Sequence, residues 1–280
     1  IGRAISQSPH IDVISFTGSS TTGKRIAADA AGTLKRLSLE LGGKAPAIVL
    51  PDAPLTSTVP ALVAGALPMA GQQCTAIARV LVHEDRFDET ARALAERLAT
   101  LKLGPGHEPT SQLGPLIDLA NRDRVDRLAH DAANHGKVWL QGGVPSGPLS
   151  RGAFISPTLV EVADLNSHFI QDELFGPVLV IERYRDQSEA VMRANATRYG
   201  LAASVWTGDR AAGQSLAREL KAGTVWMNAH NKLFPEAETG GYRESGYGRL
   251  HGVEGLNDFL STKHVYWENA AFGEFAKAKA

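Results

Sequence analysis

The side chain best suited to covalent chemistry is a thiol. Cys74 is the only cysteine in 280 residues and lies in the segment PMAGQQCTA (68–76), between small and amide side chains. A thiolate is a strong nucleophile, but a free cysteine is mostly protonated at neutral pH and needs a base, a lowered pKa or backbone donors to react. A lone cysteine is also often a small buried apolar residue. Cys74 is therefore a candidate nucleophile whose role depends on the groups around it.

A carboxylate that could serve as a base lies upstream of this thiol. Residues 37–41 alternate as a strand does, and Gly42 and Gly43 interrupt the pattern shortly after Glu40. A carboxylate at the end of a strand acts as a general base when burial raises its pKa toward the working pH. The alternative interpretation is an ordinary surface glutamate on a half-exposed strand.

A glycine-containing turn near the start of the chain is a candidate phosphate site. Residues 11–16 are expected to form a strand, residues 17–23 a turn and residues 24–31 a helix. This order presents free backbone N–H groups and a helix dipole to a phosphate. Residues 18–24 match most of the triphosphate pattern G-x-x-x-x-G-K, but Arg25 replaces the serine or threonine that contacts magnesium. A dinucleotide pyrophosphate site and a plain capped helix are the other interpretations.

An acidic and aromatic segment precedes another apolar strand. Glu173 follows Asp172, and Phe175 comes just before a Gly-Pro pair and the strand expected at 178–182. A carboxylate here can hold a ribose diol while the ring packs on a nicotinamide. A solvated acidic turn beside a core phenylalanine is the plainer interpretation.

Helical patterns alternate with short apolar strands, which predicts an α/β fold with a parallel sheet. Pro60 and Pro68 are expected to limit any helix in residues 53–70. Residues 229–249 lack a regular pattern, and long irregular segments of this kind tend to be functional. Strands are expected at 47–50, 79–83, 137–141, 178–182, 201–207 and 224–228, and helices at 86–101, 118–134, 210–221 and 253–260.

Composition narrows the class of protein. With 43% hydrophobic residues, 21% charged residues and a net charge of −1, the chain is an ordinary globular protein of one large or two small domains. The absence of a basic excess argues against a nucleic-acid partner, and the absence of a long apolar run argues against a membrane partner. One unpaired cysteine fits a reducing compartment, so we expect a cytoplasmic protein. The sequence assigns no metal ligands.

Five short motifs occur along the chain in a fixed order. They are FTGS (16–19) with Gly23, LELGGK (39–44), GQQC (71–74), ELFGP (173–177) and GGYRESGYGR (240–249). Together they resemble the NAD(P)-dependent aldehyde dehydrogenase superfamily in order and approximate spacing, over residues 11–268. The resemblance implies an aldehyde dehydrogenase-like α/β fold: a three-layer parallel-sheet catalytic domain, part of a Rossmann-type cofactor domain and a C-terminal oligomerisation strand.

The same resemblance divides the chain. Residues 1–42 are expected to end the cofactor-binding domain, 43–241 to form the catalytic domain, 242–261 to return to the cofactor domain, and 262–280 to form the oligomerisation strand and tail. Residues 263–268 read as an exposed aromatic edge strand, which favours pairing with another subunit. A homodimer or homotetramer is therefore expected.

Roles follow from the resemblance position by position. Cys74 matches the nucleophile that attacks the aldehyde carbon to give a thiohemiacetal, from which hydride leaves to the nicotinamide and a thioester remains. Glu40 matches the base that activates water to hydrolyse this thioester. The implied cofactor is NAD or NADP, and the implied substrate is a small-molecule aldehyde. Residues matching the substrate tunnel are Asn231, Leu233 and Phe234. Residues matching the cofactor site are Gly18, Ser19, Gly23, Leu41, Gly42, Glu173 and Phe175.

The chain also departs from the family pattern. It begins with Ile1, partway through the family's cofactor domain, so we expect an N-terminal half in the same or a second polypeptide. Glu238 and Thr239 stand where many members carry Pro-Phe. Glu40 favours water over coenzyme A as the acyl acceptor. A CoA-acylating semialdehyde dehydrogenase and a non-catalytic fragment or structural subunit are the alternatives.

Overall fold

The computed structural model describes residues 1–267. The chain begins with α1 (Gly2–Gln7), β1 (Val13–Thr17), α2 (Ser20–Ala31) and β2 (Arg36–Glu40). Strands β1 and β2 are parallel, and the two-residue strand β10 (Gly246–Tyr247) pairs antiparallel with β2 from far along the sequence. The first forty residues therefore supply two strands of a small sheet, and β10 adds the third.

A larger sheet contains the middle of the chain. Its elements are β3 (Ala45–Val49), α3 (Leu55–Ala66), β4 (Ile77–His83), α4 (Glu84–Ala99), α5 (Leu119–His135), β5 (Lys137–Leu140), β6 (Thr158–Glu161), α6 (His168–Gln171), β7 (Val178–Tyr184), α7 (Gln187–Ala194), β8 (Ala202–Trp206), α8 (Arg210–Glu219) and β9 (Thr224–Met227), before α9 (Gly252–Asn257). The strand order is β5-β6-β7-β4-β3-β8-β9. Every neighbouring pair is parallel except β5 with β6.

Helices cover both faces of this sheet because its central strands are apolar on both sides. All five residues of β3 are buried. Val49 belongs to a core cluster with Leu62 of α3 and Leu94 of α4. Its neighbour Ile48 belongs to another cluster, with residues of α7 and α8 that include Leu216. Side chains alternate across a strand, so the two clusters lie on opposite faces. The resulting helix–sheet–helix layering confirms the predicted α/β fold.

Helix α3 and strand β6 differ from the sequence expectation. Helix α3 runs through Pro60, which was expected to limit it. The proline removes one helical hydrogen bond, but Val59 and Leu62 on the same helix are buried in the core, and tertiary packing outweighs the local preference. Strand β6 was not predicted; its first three residues are buried in succession, so no polar–apolar alternation marks it.

The strand expected at residues 263–268 is not formed. Residues 263–267 carry no regular structure, with Val265, Tyr266 and Trp267 each more than 70% exposed, and Glu268 lies outside the described residues. A strand needs a neighbour for its backbone groups, and none pairs with this segment within residues 1–267. The oligomerisation role stays a prediction.

None of the helices within residues 1–267 combines the length and apolar character needed to cross a membrane.

Candidate active site

Glu40 ends the central strand of the small sheet. Its backbone is held on both sides, by β1 and by β10, and its carbonyl accepts a hydrogen bond from the Gly18 N–H at 3.0 Å. The residue is only 9% exposed, and its Oε1 has no hydrogen-bond partner among the described residues. Burial raises the pKa of the carboxyl to about 7, against the opposing charge of Arg249. A group that titrates near neutrality is suited to proton transfer.

Cys74 lies beyond a strained turn, Pro68–Gly71. Three successive residues of that turn, Met69, Ala70 and Gly71, have positive φ values of 49°, 57° and 76°. Such conformations are costly for non-glycine residues and are concentrated at functional sites. Gly71 also packs closely, because a Cβ there would lie 2.5 Å from the Gly176 carbonyl oxygen. The turn leads to Cys74, which is a partly buried free thiol.

The electrostatic surroundings of Cys74 contain two carboxyl groups. Burial raises the pKa of its thiol, and the charges of Glu173 and then Glu40 raise it further, against weaker backbone hydrogen bonds. Both predicted acidic residues therefore lie close enough to act on the predicted nucleophile. In the free protein the thiol is held in its protonated form and needs a base to become a nucleophile.

Gly42 and Gly43 allow these groups to approach one another. A Cβ on Gly43 would lie 2.4 Å from the Cys74 carbonyl oxygen, and a Cβ on Gly42 would lie 2.3 Å from Oε2 of Glu173. The Gly43 N–H donates to Glu173 Oε1 at 3.1 Å. Burial raises the pKa of Glu173, while this hydrogen bond and the Lys44 charge lower it. The glycine pair is thus the point where Cys74 and Glu173 meet the strand that carries Glu40.

Ser245 is a site residue to which sequence reasoning gave no role. It is fully buried, its Oγ donates to the Gly42 carbonyl at 2.7 Å, and the same Oγ accepts from the Gly200 N–H at 3.0 Å. Its own carbonyl accepts from the Leu41 N–H at 3.0 Å. The segment 240–249 was recognised as a motif. The hydrogen bond of this hydroxyl to Gly42 joins residues 203 positions apart, however, and no local sequence pattern indicates such a contact.

A cavity of about 610 Å³ opens between the start of α2 and Glu173. Ser19 caps this helix, its Oγ accepting from the Thr22 N–H at 3.2 Å. Lys24 forms an ion pair with Glu244 at 2.9 Å. A helix N-terminus with basic side chains beside it can hold a diphosphate. The charged and polar lining includes Ser19, Lys24, Arg124, Glu173, Arg198 and Glu244.

The remaining residues predicted for the cofactor have clear packing roles. A Cβ on Gly18 would lie 2.5 Å from the Phe16 ring, and one on Gly23 would lie 2.6 Å from the side chain of Leu41, which is itself buried. Phe175 is 39% exposed and has a φ of 49°. Gly18 and Gly23 therefore close the strand-turn-helix unit tightly, while Phe175 presents its ring outward from a strained backbone.

The predicted tunnel residues fall into two groups. Asn231 Oδ1 accepts a hydrogen bond from the hydroxyl of Thr75, the residue after Cys74, at 2.7 Å. The preceding residue, His230, donates a hydrogen bond from Nε2 to the Thr75 carbonyl at 2.6 Å. Burial lowers the pKa of His230 to about 4, so its ring is neutral. Leu233 and Phe234 are 47% and 60% exposed. The structure thus places Asn231 against the segment that carries Cys74, whereas Leu233 and Phe234 lie at the surface.

Comparisons with known proteins identify the family of this chain. The model of the family described as aldehyde dehydrogenase matches residues 1–265. The chain is 37% identical over 268 residues to the betaine aldehyde dehydrogenase of Bacillus subtilis (strain 168), covering 95% of this chain and 55% of that protein. It is 38% identical over 266 residues to an aldehyde dehydrogenase of Fusarium sp, covering 95% and 57%.

A solved structure gives the same result in three dimensions. The betaine aldehyde dehydrogenase of Staphylococcus aureus in complex with NAD+ superposes with a TM-score of 0.90 at 35% identity, covering 95% of this chain and 53% of that one. The chain spans about half the length of the curated relatives it matches. By its sequence, its fold and the family model, the chain belongs to the aldehyde dehydrogenase family.

Proposed function

We propose that this chain carries the nucleophile and the general base of an NAD(P)-dependent aldehyde dehydrogenase that oxidises a small-molecule aldehyde to a carboxylic acid. The observation that carries the proposal is the convergence of Cys74, Glu40 and Glu173 at Gly42 and Gly43. Family membership supports the class of reaction, and the arrangement of these groups supports the assignment of roles.

The chemistry divides between the Glu40 carboxylate and the Cys74 thiol. Glu40, with a pKa of about 7, takes the thiol proton, and the sulfur of Cys74 forms a bond to the aldehyde carbon. NAD(P)+, when bound, would accept the hydride that turns this adduct into a thioester. Glu40 returns the first proton to solvent and then removes a proton from water, which attacks the thioester carbon; the C–S bond breaks, the sulfur regains a proton from Glu40 and a carboxylic acid leaves.

The cofactor is proposed to lie along the charged cavity. The start of α2, with Gly18, Ser19 and Gly23, faces the diphosphate, while Leu41, Gly42, Glu173 and Phe175 surround the nicotinamide and its ribose. The charged lining of the cavity and the NAD+ bound by the S. aureus relative support this placement. Asn231, Leu233 and Phe234 are proposed to line the approach of the aldehyde to Cys74.

Assembly is proposed to complete the site. Because the chain spans about half the length of its relatives, we propose that an N-terminal half, in the same or a second polypeptide, supplies the rest of the cofactor domain. The domain boundaries 1–42, 43–241, 242–261 and 262–280, and a homodimer or homotetramer, belong to this proposal. The single free cysteine supports a cytoplasmic location.

The similar proteins do not single out one aldehyde as the substrate. A betaine aldehyde dehydrogenase at 37% identity and a Fusarium aldehyde dehydrogenase at 38% are equally similar, so similarity does not select one substrate. A panel that includes betaine aldehyde is therefore the appropriate assay.

The experiment begins with the intact mass and N-terminal sequence of the purified protein at its natural length. Reduction of NAD and NADP is then followed with the aldehyde panel for wild type, Cys74→Ala and Glu40→Gln. Turnover by wild type and its loss in Cys74→Ala support the proposal. Unchanged turnover in Cys74→Ala would remove Cys74 as the nucleophile, and a wild type that neither turns over nor binds cofactor would favour the non-catalytic fragment.

The Glu40→Gln variant separates water from coenzyme A as the acyl acceptor. If Glu40 activates water, the variant accumulates a thioester on Cys74 when it is assayed at alkaline pH, where the thiol ionises without Glu40. The thioester is detected as an acyl mass on the protein. If wild type releases product only when coenzyme A is added, the hydrolytic assignment is wrong and the CoA-acylating alternative takes its place.

A further inference from the structure

Three side chains with metal-binding atoms converge outside the candidate active site. Asp131 and His135 lie one turn apart on α5, and His168 is the first residue of α6. His135 Nε2 is 3.2 Å from Asp131 Oδ2, and His168 Nε2 is 3.6 Å from the same oxygen. The three ligand atoms lie within 4.8 Å of one another. Two imidazoles and a carboxylate thus face a common point between two helices.

Neighbouring groups hold these side chains in orientation. His135 Nδ1 is 2.9 Å from Ser167 Oγ, and Asn134 Nδ2 donates to Asp131 Oδ1 at 2.9 Å. The rings of His135 and His168 meet edge to face at 4.4 Å, and both pack on the buried ring of Phe169. Outer hydrogen bonds of this kind orient metal-binding histidines and carboxylates in known sites.

The hydrogen bond to Ser167 has a chemical consequence at the other nitrogen. When the Nδ1–H of His135 donates to Ser167 Oγ, the Nε2 carries a lone pair directed at Asp131 Oδ2. In that tautomer the two lone pairs repel at 3.2 Å, and a cation between them relieves the repulsion; in the other tautomer Nε2–H donates to Asp131 instead. The point between the three groups therefore attracts a proton or a metal ion.

We propose that Asp131, His135 and His168 bind a divalent transition-metal ion, for which Zn²⁺ is the probe. Imidazole and carboxylate ligands suit Zn²⁺ better than Mg²⁺ or Ca²⁺. Tetrahedral zinc with bonds of 2.0–2.1 Å places its ligand atoms about 3.3–3.4 Å apart, close to the 3.2 and 3.6 Å observed here. The side chains are 27–40% exposed, which leaves a path for the ion and room for water as a fourth ligand.

The site occupies a definite place relative to the rest of the molecule. His168 also lines the cavity that contains Glu173, and α6 ends two residues before Glu173. A metal held by both helices would tie α6 to α5 at the rim of that cavity. Binding to the folded chain alone raises its stability by mass action. The proposal does not depend on the proposed enzymatic function, since its readouts are metal binding and thermal stability.

The test is calorimetric titration with ZnCl₂ in a Cys74→Ala background, so that the free thiol does not compete. His135→Ala and His168→Ala are each expected to weaken Zn²⁺ binding at least about tenfold, because even outer contacts are worth about 10- to 100-fold in affinity. The matched control is His130→Ala. His130 lies on the same helix, 3.6 Å from Asp126 four residues earlier, but has no third ligand in the candidate group.

Thermal unfolding gives a second measurement that does not depend on the affinity assay. Zn²⁺ is expected to raise the Tm of the Cys74→Ala parent and of His130→Ala. It is expected to leave the Tm of His135→Ala and His168→Ala unchanged, and Mg²⁺ is expected to change no Tm. The metal-free Tm of each variant shows whether it folds. The proposal is overturned if the parent does not bind Zn²⁺, or if His130→Ala weakens binding as much as His135→Ala does.

Discussion

The carboxylate of Glu173 accepts a hydrogen bond from the backbone N–H of Gly43 at 3.1 Å, joining residues 130 positions apart. The bond connects the segment that precedes β7 to the start of β3. Lys44, the next residue, is 2% exposed, and burial first and the Arg79 charge second lower its pKa to about 7. Glu173 is therefore fixed against the glycine pair that also contacts Cys74, with a weakly charged lysine close by.

Gly43→Ala is expected to disturb the position of Cys74. The new methyl group would lie 2.4 Å from the Cys74 carbonyl oxygen, a backbone atom that cannot turn aside. Overpacking of this kind costs about 1–3 kcal/mol. Urea unfolding and the rate of iodoacetamide reaction with Cys74 measure the two effects. Gly114→Ala is the control, because a Cβ there meets nothing within 4 Å; equal behaviour of the two variants would contradict the contact.

Glu40→Gln is expected to change the dependence of stability on pH. The folded carboxyl has a pKa of about 7 against 4.5 for an unperturbed group. Between those values the unfolded chain loses a proton that the folded chain keeps, so wild-type stability falls as pH rises from 4.5 through 7. The glutamine variant has no such proton to lose. Its free energy of unfolding, relative to that of wild type, should therefore rise by about 1–3 kcal/mol across that interval, the lower values allowing for solvent screening.

Denaturant unfolding of both proteins at pH 4.5, 6, 7 and 8 measures the difference. Glu238→Gln serves as the control, since this exposed carboxyl accepts a hydrogen bond from the Val253 N–H and has a lowered pKa. A constant difference between Glu40→Gln and wild type at every pH would show that Glu40 titrates normally in the folded chain.

Glu173→Gln is expected to make the Cys74 thiol more reactive in the free protein. Burial and then the Glu173 charge raise the pKa of the thiol, so removal of that charge lowers it and increases the thiolate fraction at a fixed pH. Alkylation by iodoacetamide, followed from pH 6 to 10, should shift to lower pH. Glu96→Gln, on the exposed face of α4, is the comparison. No shift, or a shift to higher pH, would place the Glu173 charge away from the sulfur.

Glu182→Gln is expected to destabilise the large sheet. Glu182 and Arg79 are both 0% exposed and form a two-point ion pair at 2.7 and 3.1 Å, which Arg193 joins at 3.2 Å. Breaking a buried pair leaves an uncompensated charge and costs about 3–5 kcal/mol. The surface pair of Arg183 with Asp88 is the control, and Asp88→Asn should change unfolding little. Similar effects of the two substitutions would contradict the burial argument.

Much of the fold was predictable because it depends on local patterns. Short apolar runs and amphipathic periods placed β1, β3, β4 and β7, and helices α4, α5 and α8, within a few residues of their observed bounds. Helix α3 and strand β6 were missed for opposite reasons. Packing of Val59 and Leu62 overrides the local effect of Pro60, whereas β6 is buried at three successive residues and shows no polar–apolar alternation.

The sequence by itself determined the identity of the reactive groups: a single thiol, a glutamate before a glycine pair, and a glycine turn between strand and helix. Only the tertiary structure decided which of them meet. The Gly43–Glu173 and Gly42–Ser245 hydrogen bonds cross 130 and 203 residues. Asp131, His135 and His168 converge because the start of α6 contacts the end of α5. Side-chain periods act over a few residues, while such contacts depend on sheet order, which is set by burial of the whole core.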